Sequence, residues 1–363
     1  YGATGTIGAA GLALVGCGDD DDDDGRATPT SAGTTAPTST PAPGETPTET
    51  PSADAPKVGG TARYPLEGMS SGDPPTLFPF ENLTYLAQHP ATLHYSRLLT
   101  EIAGPGIDSS DFTALKGDLA AGLPEQPDEL TYIFTLKPNI NFHDKPPMNG
   151  RRATAEDFAQ TYEAFLSLSQ NAGAYESVVD KIEVTDELTL KVSLKDVFAP
   201  FLTTHASSPE GVWFIPVEII NSGQVQTDPV GTGPWMFKQW DTGVAIRWDR
   251  NPDYYDSPEP YFEHIEGSMI RDPQRIIAAL QSGDLDWSGL ASSVYNDAHS
   301  KLDPAGQEFF SPAPAMGGFY FNFDVPPWRD RRVRQALSMA WSRDEALQVL
   351  DETGKGDWHT EIA

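Results

Sequence analysis

Apolar and polar residues follow two regular spacings along the chain from residue 58 onward, and these spacings predict its secondary structure. Between Thr131 and Lys137, Tyr132, Phe134 and Leu136 alternate with residues of the opposite face, a period of two that is typical of a β-strand. Similar runs predict strands at 60–66, 181–184, 188–194, 235–240, 244–248, 262–270, 285–287 and 319–323, with the pair between 181 and 194 forming a hairpin.

Apolar residues at helical spacing predict helices between these strands. The clearest helix begins at Thr154, because Asp157 lies three residues later and can bond back to the Thr154 N–H, while Phe158 and Tyr162 start an apolar stripe. Further helices are predicted at 91–100, at 273–282 and from Asp330 to about residue 341. Alternation of helices and strands without an internal repeat predicts an α/β or α+β body with mixed sheets.

The first 57 residues have a different composition. Residues 1–17 begin without Met, carry no charge and end in Leu-Val-Gly-Cys, which resembles the bacterial lipobox, so they are interpreted as a lipoprotein signal remnant. We predict that Cys17, the only cysteine, carries a lipid anchor; the alternative is a buried or free thiol. Residues 18–57 contain an Asp run followed by Thr, Pro and Ser, which predicts a disordered acidic stalk rather than a calcium loop.

Charge and length exclude some classes of function. The chain has 363 residues with 24 basic and 53 acidic side chains, a formal charge of −29. Such a surface repels phosphate backbones, so no nucleic-acid partner is expected. Single hydrophobic cores stop growing at about 250–300 residues, so more than one lobe is expected.

Catalytic and metal-binding motifs are weak in this sequence. Residues 68–72 match Gly-x-Ser-x-Gly around Ser70, but Pro74 and Pro75 forbid the helix that a nucleophile elbow requires. His143 precedes Asp144 in extended chain, where neighbouring side chains point to opposite faces, so we interpret it as a satisfied polar residue. We therefore predict no catalytic residue, metal or cofactor. A secreted serine hydrolase and an adhesion or scaffolding lipoprotein stay as less favoured alternatives.

Three ordered blocks of residues resemble the family-5 extracellular solute-binding proteins, which include dipeptide, oligopeptide and nickel binders. The blocks comprise 130–137 with 142–144 and 154–158, then 228–235 with 250–255, then 321–323 with 326–328 and 330–337. Together, in this order, they are far more specific than any one motif.

The resemblance implies a type II periplasmic-binding-protein-like multi-lobe fold with an extra middle domain. It places a first lobe in two segments, a middle domain between them and the start of a second lobe at the end, in the ranges 58–98, 99–210, 211–318 and 319–363. Family members continue well beyond the third block. The second lobe is therefore expected to be incomplete in this sequence, which looks truncated at both ends.

The resemblance also implies a function. It implies a monomer that captures peptides between two lobes outside the cell membrane and delivers them to ABC permease subunits. By position it assigns ligand contacts to Leu83, Thr84, Tyr85 and Asn322. Nickel chelates, haem and oligosaccharides remain alternative solutes. The eight tryptophans are expected to be mostly core anchors, with one or two lining a solute cleft.

Overall fold

The computed structural model describes residues 56–66, 72–104, 107, 113–290, 294–302, 320–342 and 345–346. The predicted signal remnant with Cys17, nearly all of the predicted stalk and the motif around Ser70 lie outside these residues.

Strands and helices alternate irregularly along the described chain. The strands are β1 Thr61–Pro65, β2 Leu99–Glu101, β3 Leu115–Gly117, β4 Glu125–Asp128, β5 Thr131–Thr135, β6 Val179–Asp186, β7 Thr189–Leu194, β8 Trp235–Asp241, β9 Ala245–Arg250 and β10 His264–Ser268. The helices are α1 Tyr85–His94, α2 Ala155–Leu168, α3 Ala172–Val178, α4 Val217–Asn221, α5 Pro273–Ser282, α6 Tyr295–Lys301 and α7 Arg331–Ala340. The predicted mixed α/β class is confirmed.

The first sheet joins strands that are far apart in sequence. Its order is β1-β10-β9-β8, in which β1 and β10 run parallel while the other neighbours are antiparallel. Tyr64 lies opposite Gly267 in the parallel pair. One face of this sheet buries Tyr64, Ile246 and Trp248 together with Leu93 of α1, so the helix covers that face.

The second large sheet is an antiparallel unit in the order β4-β5-β7-β6. Tyr132 and Phe134 of β5 and Leu190 and Val192 of β7 point into a large cluster that also holds the apolar face of α2. The same cluster takes in residues between 212 and 230, so these residues pack with the second sheet and α2. The short pair β2-β3 forms a separate ladder.

The start of α2 agrees with its sequence signature. The Asp157 N–H donates to Thr154 Oγ1 at 3.3 Å, and the Thr154 N–H donates to Asp157 Oδ2 at 2.9 Å, which completes a capping box. Arg151 adds a two-pronged ion pair to the same carboxylate, with Nη2 to Oδ1 at 2.6 Å. Two orphan donors and the first-turn charge are therefore satisfied together.

Three predicted elements were misplaced or absent. The helix predicted at 91–100 is wrong in position, because α1 spans Tyr85–His94 with Pro90 inside it and the chain is extended at Tyr95. Downstream, the Ser96 carbonyl accepts from Phe214 N–H at 2.9 Å instead of continuing the helix. The strand predicted at 285–287 is an irregular segment, and residues 320–323 at the predicted strand 319–323 form loop and turn.

Candidate functional site

The candidate site lies near the carboxyl ends of β1 and β10. Ligands of open α/β sheets bind in the crevice beyond the carboxyl ends of parallel strands, and β1 and β10 form the parallel pair of the first sheet. Tyr64 is close to the end of β1, and the N-terminal half of α1 packs nearby through a hydrogen bond of 3.0 Å between His89 Nε2 and Tyr64 OH. This edge holds three of the residues predicted to contact ligand.

Leu83, Thr84 and Tyr85 lie together where α1 begins. Thr84 is the N-cap residue in extended conformation, and its carbonyl accepts the N–H groups of Ala87 and Gln88. Its side chain makes no cap bond; the hydroxyl and the backbone N–H both donate to Asn82 Oδ1. Leu83 is partly buried, whereas Thr84 and Tyr85 are exposed. Thr84 and Tyr85 are therefore exposed to solvent at this edge.

Buried Gln88 fixes the loop that leads into α1. Its Nε2 donates to the carbonyls of Pro79 and Asn82, both at 2.7 Å, and its Oε1 accepts from Trp213 Nε1 at 2.7 Å. All of these atoms lie in the interior or at its border, where such bonds resist exchange with water. Gln88 therefore holds the loop before α1 in one geometry and so positions Thr84 and Tyr85.

A continuous series of rings runs along this edge. The Tyr85 and His89 rings stack with centroids 5.2 Å apart, and Tyr85 OH lies 3.1 Å from His89 Nδ1. His89 meets Tyr64 edge-on at 5.5 Å, and Tyr64 stacks on Trp287 at 4.8 Å with an interplanar angle of 10°. Tyr85 and Trp287 are 58% and 51% exposed. We call these four residues the aromatic strip.

The aromatic strip is uncharged at neutral pH. Burial lowers the pKa of His89 from 6.5 to about 4, so its imidazole is neutral and has one donor and one acceptor nitrogen. Burial, and secondarily the neighbouring Tyr85, raises the pKa of Tyr64, which therefore keeps its proton. A neutral His89 between two hydroxyls can bond to both of them, donating to one and accepting from the other.

Two hydrogen bonds between Arg63 and Asp286 fix the position of Trp287. The Arg63 N–H donates to Asp286 Oδ2 at 2.7 Å, and the Asp286 N–H donates to the Arg63 carbonyl at 2.8 Å. The irregular segment after α5 is thus tied to β1 one residue before Trp287. This tie explains why Trp287 stacks on Tyr64 without a regular strand.

Asn322 lies in a separate turn. Its Oδ1 accepts the Asp324 N–H at 2.9 Å, and its carbonyl accepts the Val325 N–H at 3.2 Å. The residue is exposed and precedes α7, which is capped by Asp330 as its spacing predicts. The assignment of Asn322 to ligand binding stays a prediction.

His143 organises a different loop and is confirmed as a satisfied buried residue. Its Nδ1 accepts the Gly231 N–H at 3.3 Å and its Nε2 donates to the Gly233 carbonyl at 3.0 Å, which places the proton on Nε2. A Cβ on Gly231 would lie 2.1 Å from the His94 carbonyl oxygen. The glycines of this motif are therefore required by close packing against the end of α1.

Two grooves are lined by residues outside the aromatic strip. One of 850 Å³ runs along edge strand β8, where Lys145 and Lys238 are already paired with Asp228 and Asp249. The other, of 460 Å³, lies beside Arg63 and Asp284. Within the described residues, no group of three or more His, Cys, Asp or Glu side chains is arranged to hold a metal ion. The helices described there are all too short or too polar to cross a membrane.

A family comparison identifies the chain. Residues 114–358 match the model of the bacterial extracellular solute-binding proteins, family 5. The chain belongs to this family. The resemblance seen in the three sequence blocks is therefore confirmed.

Relatives and solved structures agree with this membership. A putative ABC transporter peptide-binding protein of Brucella ovis is 28% identical over 269 residues, which cover 72% of this chain and 49% of the relative. DppA from Helicobacter pylori, solved with the peptide STSA, superposes with a TM-score of 0.64 at 18% identity, covering 82% of this chain and 59% of that one. MoaA from A. tumefaciens R10, solved with mannopinic acid, gives 0.65 at 21% identity, with 82% and 58% covered. The chain spans about half the length of the curated relatives it matches.

Sequence reasoning missed Tyr64, His89 and Trp287 as a connected group. Trp287 was one of eight tryptophans with no signal to separate it from the core anchors, although Trp213 and Trp248 are indeed buried. His89 lies four residues after Tyr85, the spacing that brings side chains together on one helix face. That signal was hidden because the helix was predicted to start at residue 91.

Proposed function

We propose that this chain is part of the solute-binding component of an ABC importer and that it captures peptides in a cleft between two lobes. The observation that carries the proposal is the exposed start of α1 beside the carboxyl end of β1, in a chain that belongs to the solute-binding family. Peptide as the solute is supported by the names of relatives and by solved neighbours that hold peptides.

The proposed division into lobes has support from the sheets. The first sheet takes β1 from the range 58–98 and β8 to β10 from the range 211–318, as expected of one lobe built from two segments. The second sheet lies wholly within 99–210, the proposed middle domain. Buried residues between 212 and 230 pack with that second sheet, although they belong to the range proposed for the first lobe.

We further propose that the protein acts outside the cytoplasm, held to the membrane through Cys17 and working as a monomer with ABC permease subunits. The family description supports the extracytoplasmic location, and the apolar segment before Cys17 supports the anchor. In this proposal the protein catalyses no reaction, since Ser70 is followed by Pro74 and Pro75.

A second solute class has a specific observation in its favour. The MoaA structure holds mannopinic acid, so a fold like this one is not restricted to peptides. Mass spectrometry of small molecules that co-purify with the complete gene product distinguishes the classes. A bound sugar derivative, haem or metal chelate would keep the two-lobe mechanism and replace the peptide.

Titration calorimetry with a pool of short peptides tests the proposed site. We expect Tyr85→Ala to weaken peptide binding by about tenfold, because an aromatic contact contributes about 0.5–1.5 kcal/mol beyond its buried area. Phe262→Ala, which removes a 48% exposed ring in a loop, is the matched control and should bind as the unaltered protein does. Equal affinity in the Tyr85 variant would remove this residue from the site.

A further inference from the structure

The aromatic strip has a chemistry that the proposed function does not by itself assign. The hydroxyls of its two tyrosines and both ring nitrogens of its histidine are engaged within the strip: Tyr85 OH meets His89 Nδ1 at 3.1 Å, and His89 Nε2 meets Tyr64 OH at 3.0 Å. What the strip offers at its two ends is ring surface, on a half-exposed tyrosine and a half-exposed tryptophan.

The charged side chains next to the strip in sequence are Arg63 and Asp286, and strand geometry turns Arg63 away from the rings. Arg63 and Asp286 form an ion pair of 3.9 Å, and each immediately precedes a member of the strip. Arg63 and Tyr64 are neighbours in strand β1, where successive side chains point to opposite faces, so Arg63 of the ion pair and the ring of Tyr64 lie on different sides of the strand. Burial keeps His89 neutral at physiological pH, which leaves the strip without a formal charge.

The rings are also held in place before any ligand arrives. Tyr64 is almost fully buried and stacks flat against Trp287, while Tyr85 stacks on His89 at 5.2 Å. The two hydrogen bonds between Arg63 and Asp286, one to the Asp286 carboxylate and one from its N–H, fix the chain beside Trp287. A surface whose rings are already ordered loses little side-chain entropy on binding, which favours its use in recognition.

We propose that the aromatic strip is the wall of a side-chain pocket that selects an apolar or aromatic residue of the bound peptide. The inference rests on the proposed function and deepens it by naming the ligand side chain. We assign a side chain of the peptide to this pocket because Tyr85 belongs both to the strip and to the segment at the start of α1 that is predicted to contact the ligand. His89 is a positioning residue, since it holds Tyr85 through one nitrogen and Tyr64 through the other.

The test uses peptides that differ at one side chain. Tri- and tetrapeptides with Phe, Leu, Ser or Asp at each position in turn are titrated into the complete gene product. We expect the Phe and Leu peptides to bind about 10- to 100-fold more tightly than the Ser and Asp peptides at one position, the range expected for burying an apolar side chain against rings.

Variants of Trp287 show whether the strip causes the selection. Trp287→Ala is expected to reduce the preference to about threefold or less while the Ser peptide keeps its affinity; Trp287→Phe, which keeps a ring, should retain most of the preference. Thermal melting of each variant verifies that it is folded, and Phe262→Ala again serves as control.

The outcomes separate the strip from the general function. Peptide binding with no side-chain preference, or a preference that survives Trp287→Ala, would overturn the role of the strip and leave the peptide-binding function intact. Absence of any peptide binding by the unaltered protein would overturn both. A preference that disappears in Trp287→Ala and returns in Trp287→Phe supports the inference.

Discussion

At the scale of single residues, buried histidines link the fold to pH. His143 is 1% exposed, and burial lowers its pKa from 6.5 to about 4. Between these two pH values the unfolded chain binds a proton that the folded chain does not bind, so acidification favours unfolding. The contribution of neutral His143 is therefore complete above about pH 6.5 and is lost progressively as the pH falls toward 4.

We expect the free energy of unfolding to fall between pH 7 and pH 4.5, and His143→Gln to reduce that fall. The displacement of the His143 pKa limits its share to roughly 3 kcal/mol. Urea unfolding at several pH values measures both proteins. At pH 7.5, the difference in free energy of unfolding between the two proteins reports lost packing and lost hydrogen bonds to Gly231 and Gly233. The difference in how steeply this free energy changes with pH reports protonation of His143. Identical slopes would show that His143 is not the group that titrates.

Residue roles could be predicted from the sequence only where the reason is local. His143 was interpreted correctly as a satisfied polar residue because its neighbours in extended chain face opposite sides. The need for glycine at 231 comes from a carbonyl 137 positions earlier in the chain, that of His94, and no local pattern contains that contact. Trp287 is similar, since its stacking partner Tyr64 belongs to the first strand.

At the scale of elements, the two helix starts at threonine give a direct comparison. Thr154 closes a capping box with Asp157, whereas Thr84 caps α1 without a side-chain bond to the helix. We expect Thr154→Ala to lower the free energy of unfolding by about 1 kcal/mol, the usual loss for a bonded cap. Thr84→Ala is the matched control and should change it by less than about 0.5 kcal/mol.

Chemical denaturation without ligand measures this pair of variants, so that the proposed ligand contact of Thr84 does not enter. Equal losses in both variants would mean that the Thr154 bonds add nothing to the stability of helix α2.

The contrast between the two helix starts also explains why one was located correctly from the sequence and the other was not. The start of α2 was located correctly because its signal consists of residues within one turn. The start of α1 has no such bond, and the helix has Pro90 inside it, a residue that local patterns do not favour there.

At the scale of the whole molecule, the class of fold was predictable and the assembly of the first sheet was not. Strand periodicity located β5, β7, β8 and β9 closely, and hairpin spacing paired β6 with β7. The pairing of Thr61 with His264 joins residues 203 positions apart, and only the resemblance to a known family implied a lobe made from two distant segments. Burial on one face can specify that a strand pairs, but it does not name the partner.

Among the described residues, those after 319 contribute little to the body. Within this described part, the buried members of both hydrophobic clusters lie between Ala62 and Ile265, and no residue of α7 is buried. A form that ends at residue 319 should therefore keep its secondary structure and melt cooperatively. Circular dichroism and calorimetry verify that expectation, and a molten or unfolded product would contradict it.

Peptide binding by the same shortened form should be much weaker than by the complete gene product, if the ligand is enclosed between two lobes. A ligand held on one wall keeps its far side in water, where each hydrogen bond yields only about 1 kcal/mol net, and association itself costs at least about 4 kcal/mol. Closure of a second lobe removes that competition with water, so we expect an affinity loss of at least about 100-fold, measured by titration calorimetry with the peptide that binds most tightly. The affinity loss of Tyr85→Ala in the complete gene product shows, for comparison, how much a single lost contact weakens binding. Equal affinity in the shortened and complete forms would show that one wall suffices, and binding would then belong to the first lobe alone.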